Sequence, residues 1–436
     1  MKVVFLTSYS VSHIIPIKGL IQYFLKNGHN VICFIHSNNI EYCKNNGIPY
    51  IAYPNSYWEK KHHKLIKEKE KKFEKYNRGK DFMKLYDAFL EKDAIEIFNY
   101  HSSVANFIET KIEQYDPSIV FRDSTDIYWM KLKEKEKFNN IKTIGYITNN
   151  LYSWDYLMKN YDTILPIFLG IINFLPFVTK KYLQEFKENI QNIYKKISLE
   201  LNEDYIRPFY QYDPDEKYNI IFSQKFLQPK LPNRKNIIIY PPTKRDFAIE
   251  SNISSDIIEL CKDNNLIYIS TGSFMSREIE YYREILKTIL DNFSKYKIII
   301  SGGKATELIQ NLIIEMKISE KVAVKKFIPQ KYVLMHCKFF ITSGGLNSIK
   351  ESIFFNTPMI VFPISSEQRL NGLILENLKI GFSMYHLPDP IEYFKKNIVT
   401  IFNTDYSKGF ENLKLDSYDS ESVIKQILSE LELDNI

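Results

Sequence analysis

The sequence predicts an α/β protein built from two domains. Its 436 residues are too many for one ordinary hydrophobic core. In both halves, short apolar runs of strand length alternate with segments of helical periodicity, a pattern typical of parallel sheets covered by helices. A basic stretch bracketed by Gln228-Pro229 and Pro241-Pro242 lies between the halves, and we expect the interdomain linker there.

The composition is typical of a globular cytoplasmic protein. Hydrophobic residues make up 44% of the chain and charged residues 25%. The net charge of +6 is too mild to indicate nucleic-acid binding, and the Lys/Glu-rich residues 59–80 predict a solvated helix. The 4 cysteines are scattered without a C-x-x-C pair, which fits a reducing compartment. The apolar start of the chain predicts a strand rather than a signal peptide, and no run reaches the ~20 apolar residues of a transmembrane helix.

The first half opens with a βαβ pattern. Residues 2–7 predict a buried strand, 8–13 a polar loop, 14–26 an amphipathic helix closed by Asn27-Gly28, and 31–35 the next strand. The loop lacks the G-x-G-x-x-G sequence of dinucleotide-binding folds. Further strands are predicted at residues 118–122, 141–148 and 218–223.

The most apolar segment of the chain is residues 163–178, TILPIFLGIINFLPFV. It contains two prolines and one glycine and is too short to span a bilayer. The composition predicts a buried helix or loop. The alternatives are an apolar wall of a ligand pocket or an edge that touches a membrane.

The second half repeats the α/β alternation, and its predicted strands end in turns of small residues. The strand at residues 266–270 leads into Thr271-Gly272-Ser273, and the strand at 339–342 leads into Ser343-Gly344-Gly345. The other elements predicted here are a strand at 297–301 and helices at 278–293, from 306, after Gly345 and at 420–433.

The turn at Gly344-Gly345 is a candidate anion site. A Gly-rich loop at a helix start presents free backbone N–H groups and the positive end of the helix dipole, which suit a phosphate. Asn347 and Ser348 can add hydrogen bonds, and Glu351 lies one turn further on, within reach of an attached ribose. Taken alone, a Gly-Gly pair is more often an ordinary strand–helix turn.

The residues around this turn resemble the nucleotide-sugar signature of family-one glycosyltransferases of the UDP-glycosyltransferase type. Within that family the sequence looks closest to the bacterial macrolide glycosyltransferases. The matching residues occur at matching spacing and are Phe327-Ile328-Pro329-Gln330, Val333-Leu334, Phe340-Ile341-Thr342, Gly344-Gly345, Asn347-Ser348, Glu351, Pro358-Met359, Pro363, Gln368 and Gly381.

The resemblance implies the GT-B architecture, in which two doubly wound Rossmann-like domains face a central cleft. We expect an acceptor-binding domain at residues 1–240 and a nucleotide-sugar-binding domain at 241–419. We expect a C-terminal helix within residues 420–436 to pack back on the first domain. The resemblance also implies that residues 163–178 contribute to the acceptor side.

The resemblance further implies a catalytic pair. His13, in Ser12-His13-Ile14-Ile15-Pro16, matches the family's catalytic histidine, with Ser12 in place of a glycine. Imidazole accepts a proton near neutral pH. From the residues alone, His13 is equally well a loop histidine that caps the helix. Asp123 matches the family's aspartate, which would orient the histidine as in hydrolase triads. Asp126, about one helical turn on, is the alternative.

On the donor side the resemblance assigns roles to several side chains. Glu351 would hold the ribose hydroxyls, Glu367 and Gln368 the sugar, and Phe327 would lie near the uracil. The complete set of expected donor-binding residues is Ser273, Phe327, Ile328, Gln330, Ser343, Gly344, Gly345, Asn347, Ser348, Glu351, Glu367 and Gln368.

The implied reaction is inverting transfer of a hexose from a UDP-sugar to a hydroxyl of a small or lipophilic acceptor. The UDP-sugar is a co-substrate, and neither a cofactor nor a metal is expected. Asp213-Pro214-Asp215 looks like the metal-binding D-x-D sequence but predicts a turn.

Two other functions stay open. Ser343 stands where most relatives have a histidine that contacts the diphosphate, and Glu367 replaces a commoner aspartate. Ser343 favours a catalytically silent GT-B protein that binds nucleotide sugar or regulates a partner enzyme. An exposed segment at residues 163–178 would favour a membrane-surface transferase with a lipid acceptor.

Overall fold

The computed structural model describes most of the chain. The described residues are 1–54, 104–126, 128–170, 180–200, 212–230, 237–250, 252–262, 265–272, 277–385, 389–413, 420–431 and 433. The chain divides into two compact units. The first comprises Met1–Leu165, Phe174–Pro241 and Asp419–Ile436, and the second comprises Pro166–Asn173 and Pro242–Tyr418. The boundary between Pro241 and Pro242 lies at the end of the stretch in which the linker was expected.

The first unit is organised around a parallel sheet. In the described residues it has seven strands: β1 Lys2–Leu6, β2 Asn30–Ile35, β3 Tyr50–Ala52, β4 Ile119–Asp123, β5 Lys142–Ile147, β6 Tyr218–Ile221 and β7 Ile237–Ile239. Their order is β3-β2-β1-β4-β5-β6-β7. The direction of winding therefore reverses between β1 and β4, and ligands of such sheets bind at the carboxyl ends of the strands beside the reversal.

Helices cover this sheet. The described helices in the first half of the chain are α1 Lys18–Lys26, α2 Ile40–Asn45, α3 Tyr128–Leu132, α4 Trp154–Lys159, α5 Ile164–Leu169 and α6 Lys180–Glu200, and residues 104–115 are also helical. The helix predicted at 14–26 begins only at Lys18, after a 3-10 turn over Val11–His13. Pro16 explains the difference, because it has no N–H to donate and disfavours a helical conformation at Ile15.

The second unit has its own parallel sheet. Its described strands are β8 Leu266–Ser270, β9 Lys297–Ser301, β10 Val322–Lys325, β11 Phe339–Thr342, β12 Met359–Val361 and β13 Gly381–Ser383, in the order β10-β9-β8-β11-β12-β13. Here the winding reverses between β8 and β11. The helices that follow in the chain are α7 Ser255–Cys261, α8 Ile279–Asn292, α9 Thr306–Glu315, α10 Gln330–Leu334, α11 Leu346–Phe354, α12 Ser366–Asn377, α13 Pro390–Asn403, α14 Ser407–Glu411 and α15 Ser420–Glu430.

The C-terminal helix α15 contributes to the core of the first unit. Val423, Ile427 and Leu431 recur at helical spacing and are buried in one cluster with Ile17 and Leu20, the latter on α1. The Lys142 Nζ donates a hydrogen bond to the Leu431 carbonyl. The end of the chain thus packs against its beginning.

The apolar segment is described up to Gly170. Leu165, Ile167, Phe168 and Leu169 are buried, so this part does not show the exposure that a membrane-contacting edge would need. Residues 171–178 and the Lys/Glu-rich residues 59–80 lie outside the described residues. Among the described helices, none has the length and apolar character needed to cross a membrane.

Candidate active site

A histidine and an aspartate lie side by side at the reversal of the first sheet. β1 and β4 are paired in parallel, with Leu6 opposite Arg122, so the segments that follow them leave the sheet at the same edge. The Nδ1 atom of His13 lies 2.8 Å from Oδ2 of Asp123. The Asp123 side chain has no exposed surface, whereas 14% of the His13 side chain is exposed. A proton on Nδ1 donated to the carboxylate leaves Nε2 as the acceptor atom.

The second oxygen of Asp123 is also held. Its Oδ1 accepts hydrogen bonds from the backbone N–H and the hydroxyl of Thr125, at 2.9 and 2.6 Å. Asp126 instead accepts from the backbone N–H groups of Tyr128 and Trp129, at the start of α3. The geometry therefore places Asp123, and not Asp126, on the histidine, while Asp126 caps a helix.

Arg122 stabilises this turn, and sequence analysis did not single it out. Its side chain is buried, donates from Nε to Glu216 Oε1 at 2.9 Å and from Nη1 to the Asp126 carbonyl at 2.6 Å. A third bond runs from Nη2 to the Pro214 carbonyl. Lys133 donates to the other oxygen of Glu216 at 2.7 Å. A buried Arg in an otherwise apolar strand was the one available signal.

The Gly-rich turn of the second unit lies at the reversal of the second sheet. Gly344 has φ +83°, a conformation suited to glycine, and Gly345 is the N-cap of α11. No side chain of the described residues caps this helix. A helix start of this kind, with the backbone N–H groups of Asn347 and Ser348 in its first turn, suits an anion.

Ser343 is turned toward the neighbouring strand end. Its Oγ donates to the Thr271 carbonyl at 3.0 Å, and the residue is buried. This bond ties together the two loops at the reversal, those that follow β8 and β11. The Ser343 hydroxyl proton is therefore committed to the backbone in this structure.

Glu351 is held by a network that reaches into the sheet. The Gln330 Nε2 donates to Glu351 Oε2 at 2.7 Å and contacts Ser348 Oγ at 3.3 Å. The Tyr268 hydroxyl, on β8, donates to Gln330 Oε1 at 3.3 Å. Burial raises the pKa of the Glu351 carboxyl, although the Gln330 bond and two nearby lysines act in the opposite direction. The four side chains form one connected group.

Glu367 and Gln368 start the next helix, α12. Gln368 Oε1 accepts from the backbone N–H groups of Ile364 and Ser365, and Ser365 completes a capping box. Glu367 Oε1 accepts from Asn371 Nδ2, which also donates to the Gly344 carbonyl at 3.0 Å. Asn371, which was not predicted, thus connects the two expected sugar- and phosphate-binding turns.

Lys350 is a buried cation among these groups. Burial lowers the pKa of its ammonium to about 8, and Asp246, Glu351 and Glu367 act in the opposite direction. Lys350 lies on α11 beside Glu351, so its charge lies among the expected donor-binding groups. The sequence did not predict this burial, because lysine in a helix usually points to solvent.

The other expected donor residues are less organised. The Phe327 ring is 80% exposed, with Lys326 Nζ 5.8 Å from its centroid, and Ile328 is half-buried. Ser273 lies outside the described residues. In the D-x-D sequence, the Asp215 N–H donates to Asp213 Oδ1 at 3.1 Å in a loop. Within the described parts of the chain, no three His, Cys, Asp or Glu side chains are grouped as a metal site would require.

Comparison with known proteins shows a family likeness in the second half of the chain. Residues 254–384 match the family model described as UDP-glucoronosyl and UDP-glucosyl transferase. This part of the chain is similar to that family. The uncharacterized UDP-glucosyltransferase YdhE of Bacillus subtilis is 25% identical over 215 residues, which cover 48% of this chain and 52% of YdhE. The chain thus spans about half the length of the curated relatives it matches.

Solved structures extend the likeness from the UDP-glycosyltransferase region to the fold of the whole chain. The glycotransferase of kitacinnamycin has a TM-score of 0.65 at 14% identity and covers 98% of both chains. The spinosyn rhamnosyltransferase SpnG complexed with thymidine diphosphate has a TM-score of 0.57 at 12% identity, over 99% of this chain and 96% of that one. The fold is GT-B, in agreement with the prediction.

Proposed function

We propose that this protein is an inverting, metal-independent glycosyltransferase. It would move a hexose from a UDP-sugar to a hydroxyl of a small or lipophilic acceptor, with His13 as the general base. The family match of residues 254–384 supports the donor class. The observation that carries the proposal is the 2.8 Å contact between His13 Nδ1 and Asp123 Oδ2.

The proposed reaction is a single displacement. Nε2 of His13 takes the proton of the acceptor hydroxyl while the oxygen attacks the anomeric carbon from the face opposite the diphosphate. The bond from that carbon to the diphosphate breaks, and its electron pair leaves with UDP. Asp123 stabilises the imidazolium that forms and keeps its ring in place. The configuration at the anomeric carbon is inverted.

The second unit would stabilise the leaving group and the donor. The uncapped N–H groups at the start of α11 and its dipole can take the negative charge of the diphosphate. Glu351, held by Gln330, would accept hydrogen bonds from the ribose hydroxyls. Glu367 and Gln368 would contact the sugar.

One observation favours a second function. Ser343 stands where most relatives have a histidine, and a serine hydroxyl supplies no charge to a diphosphate. Its proton is also donated to the Thr271 carbonyl in this structure. A catalytically silent protein that binds nucleotide sugar or regulates a partner enzyme would tolerate this change. The intact His13–Asp123 contact favours the enzyme.

The test is turnover of candidate donors with a panel of hydroxyl acceptors. UDP release should depend on the acceptor, persist in EDTA, and give a product whose anomeric configuration, measured by NMR, is opposite to that of the donor. Retention of configuration would contradict the mechanism. Tight UDP binding without any turnover would favour the silent protein, and turnover only with thymidine diphosphate sugars would correct the donor nucleotide. The 4 free cysteines suit the cytoplasmic location that we also propose.

A further inference from the structure

Arg369 joins the apolar segment to the donor-side helix α12. Its Nε donates to the Ile167 carbonyl at 3.1 Å and its Nη2 to the Phe168 carbonyl at 3.2 Å. Both carbonyls lie in the last turn of α5, and the Ile167 carbonyl also accepts a hydrogen bond from the Gly170 N–H at 3.0 Å. The planar guanidinium reaches both at once, which an ammonium could not do.

Gly170, directly after α5, makes room for this guanidinium. A Cβ built on Gly170 would lie 2.8 Å from Arg369 Cζ and 3.1 Å from Nε and Nη2. Its φ of +76° also favours glycine over any other residue. Gly170 therefore meets two requirements of the arginine contact: it adopts the positive φ of the turn, and it lets the guanidinium approach the backbone closely.

The same guanidinium contacts the turn that begins α12. Its Nη1 lies 3.4 Å from the Ile364 carbonyl, and its Nη2 lies 3.5 Å from Ser366 Oγ. Gln368 accepts from the Ile364 N–H in this turn at 2.8 Å. A displacement of Arg369 would therefore remove contacts both to the end of α5 and to the turn that holds Gln368.

The contact is not a loose surface contact. Phe168 and Leu169, on either side of it, are 1% and 3% exposed. The compact second unit takes in Pro166–Asn173 together with Arg369, although more than 190 residues of sequence separate them. Hydrogen bonds to backbone carbonyls in such surroundings are costly to leave unmade.

We propose that Arg369 is a positioning residue that holds residues 166–170 on the turn carrying Glu367 and Gln368, and thereby sets acceptor affinity. The inference rests on the proposed function, in which this turn handles the sugar. The contact fixes this buried apolar segment against the turn, and its loss would let the turn shift where the acceptor meets the sugar. Nucleotide binding, at α11 and Glu351, does not depend on the contact.

The first experiment compares Arg369→Met with Arg369→Lys. Met removes every hydrogen bond and keeps an apolar side chain, so we expect the KM for the acceptor to rise roughly 10-fold. Lys can still donate to one carbonyl and should fall between Met and wild type. The Kd for UDP should change less than about two-fold in either variant.

A glycine pair tests the same contact from the other side. Gly170→Ala places a methyl group against the guanidinium and should reproduce the acceptor defect of Arg369→Met. Gly28→Ala is its matched control, because Gly28 has φ +77° but nothing within 4 Å of a built Cβ. If both alanines act alike, backbone strain and not the arginine contact explains the effect, and the proposal is wrong.

Amide hydrogen exchange provides a readout that does not depend on turnover. The Gly170 N–H donates to the Ile167 carbonyl at 3.0 Å, so its exchange should become faster in Arg369→Met than in wild type. Unchanged exchange at 167–170 would overturn the proposal. So would faster exchange with an unchanged acceptor KM, or with UDP affinity lost in parallel. A wild-type protein that transfers no sugar would instead contradict the proposed function, and the exchange experiment tells the two failures apart.

Discussion

Asp123 and Asp126 lie three residues apart and have different surroundings. Asp123 contacts His13 and Thr125, whereas Asp126 is buried at the start of α3. Burial raises the pKa of Asp126 to about 7, with the Asp123 carboxylate adding to the rise, while Arg122 and two backbone N–H groups oppose it. A carboxyl that titrates near neutral pH thus lies beside the proposed catalytic pair.

Asp126→Asn should change how stability depends on pH. The pKa of Asp126 in the folded protein, about 7, exceeds the value of about 3.9 expected when unfolded. Between these values the native state binds more protons, so the free energy of unfolding falls as pH rises, by up to about 1.4 kcal/mol per pH unit from this group. Asn still caps a helix but cannot ionise.

Denaturant unfolding of wild type and Asp126→Asn at pH 5 and at pH 7.5 measures this effect. The variant should gain stability relative to wild type at the higher pH. The same difference between the two proteins at both pH values would show that Asp126 does not titrate in this range.

Among single residues, the sequence singled out the two candidate catalytic side chains but not the residues that hold them. His13 and Asp123 follow apolar runs that predict strands, so their place at strand ends could be expected. That they touch depends on the pairing of β1 with β4, which are more than 100 residues apart. Arg122 was missed because two of its three acceptors are backbone carbonyls, which leave no trace in sequence. Thr125 was missed because a threonine two residues after an aspartate is too common a pattern to stand out.

Two helix starts in the second unit differ in a way that matters for anion binding. α12 has a complete capping box, in which the Gln368 N–H donates to Ser365 Oγ and the Ser365 N–H donates to Gln368 Oε1. α11 begins after Gly345, which has no side chain to offer. The helix that matches the phosphate-binding expectation is therefore the one whose N-cap residue supplies no capping side chain.

Gly344→Ala should distort this turn, whereas Gly345→Ala should not. At Gly344 a Cβ would lie 2.6 Å from Val361 Cγ1, and φ is +83°. We expect about 1–3 kcal/mol less stability. At Gly345 nothing lies within 4 Å of a Cβ, and the cost should stay below about 1 kcal/mol. Denaturant unfolding of the ligand-free proteins compares them, and equal losses would contradict the turn geometry.

Element bounds followed the sequence closely where strands are apolar on both faces. Strands β8, β9 and β11 have the predicted residues, because short apolar runs ended by small residues leave little choice. Helix α1 was predicted four residues too long, since periodicity continued across Pro16. Gln368 was expected to contact the sugar, and the structure gives its oxygen a capping role that the Ser365-x-x-Gln368 spacing already indicated.

The two units repeat one arrangement of parallel strands, with the candidate groups of each at the point where its winding reverses. The C-terminal helix α15 then belongs to the first unit, where Leu431 has no exposed surface. The stability of the first unit should therefore depend on residues of α15 and Leu431, which are far in sequence from the rest of that unit.

Leu431→Ala should destabilise the first unit by about 2–5 kcal/mol, the range for removing a large buried side chain. Glu430→Ala, one residue earlier and exposed, is the control and should cost less than about 0.5 kcal/mol. UDP affinity should not change, because the nucleotide-binding groups lie in the second unit. Thermal unfolding and UDP titration check both points. A Leu431→Ala protein as stable as wild type would show that α15 is not part of this core.

The division of the chain into units could be predicted only in part. Length and the Pro-rich connection indicated two units and a boundary near residue 241. The membership of Pro166–Asn173 in the second unit could not be foreseen. It coincides with the hydrogen bonds from Arg369 to backbone carbonyls, and any residue can supply a carbonyl.

Turnover of His13→Ala tests the central claim most directly. UDP release is measured in wild type, His13→Ala and Asp123→Asn, with a UDP-hexose and an acceptor that the wild type uses. The kcat of His13→Ala should be lowered roughly 10²-fold or more, because the general base is lost. Asp123→Asn should be impaired as well, and the Kd for UDP should stay within about two-fold of wild type in both. Equal rates of UDP release by wild type and His13→Ala would contradict the assignment of His13 as the base.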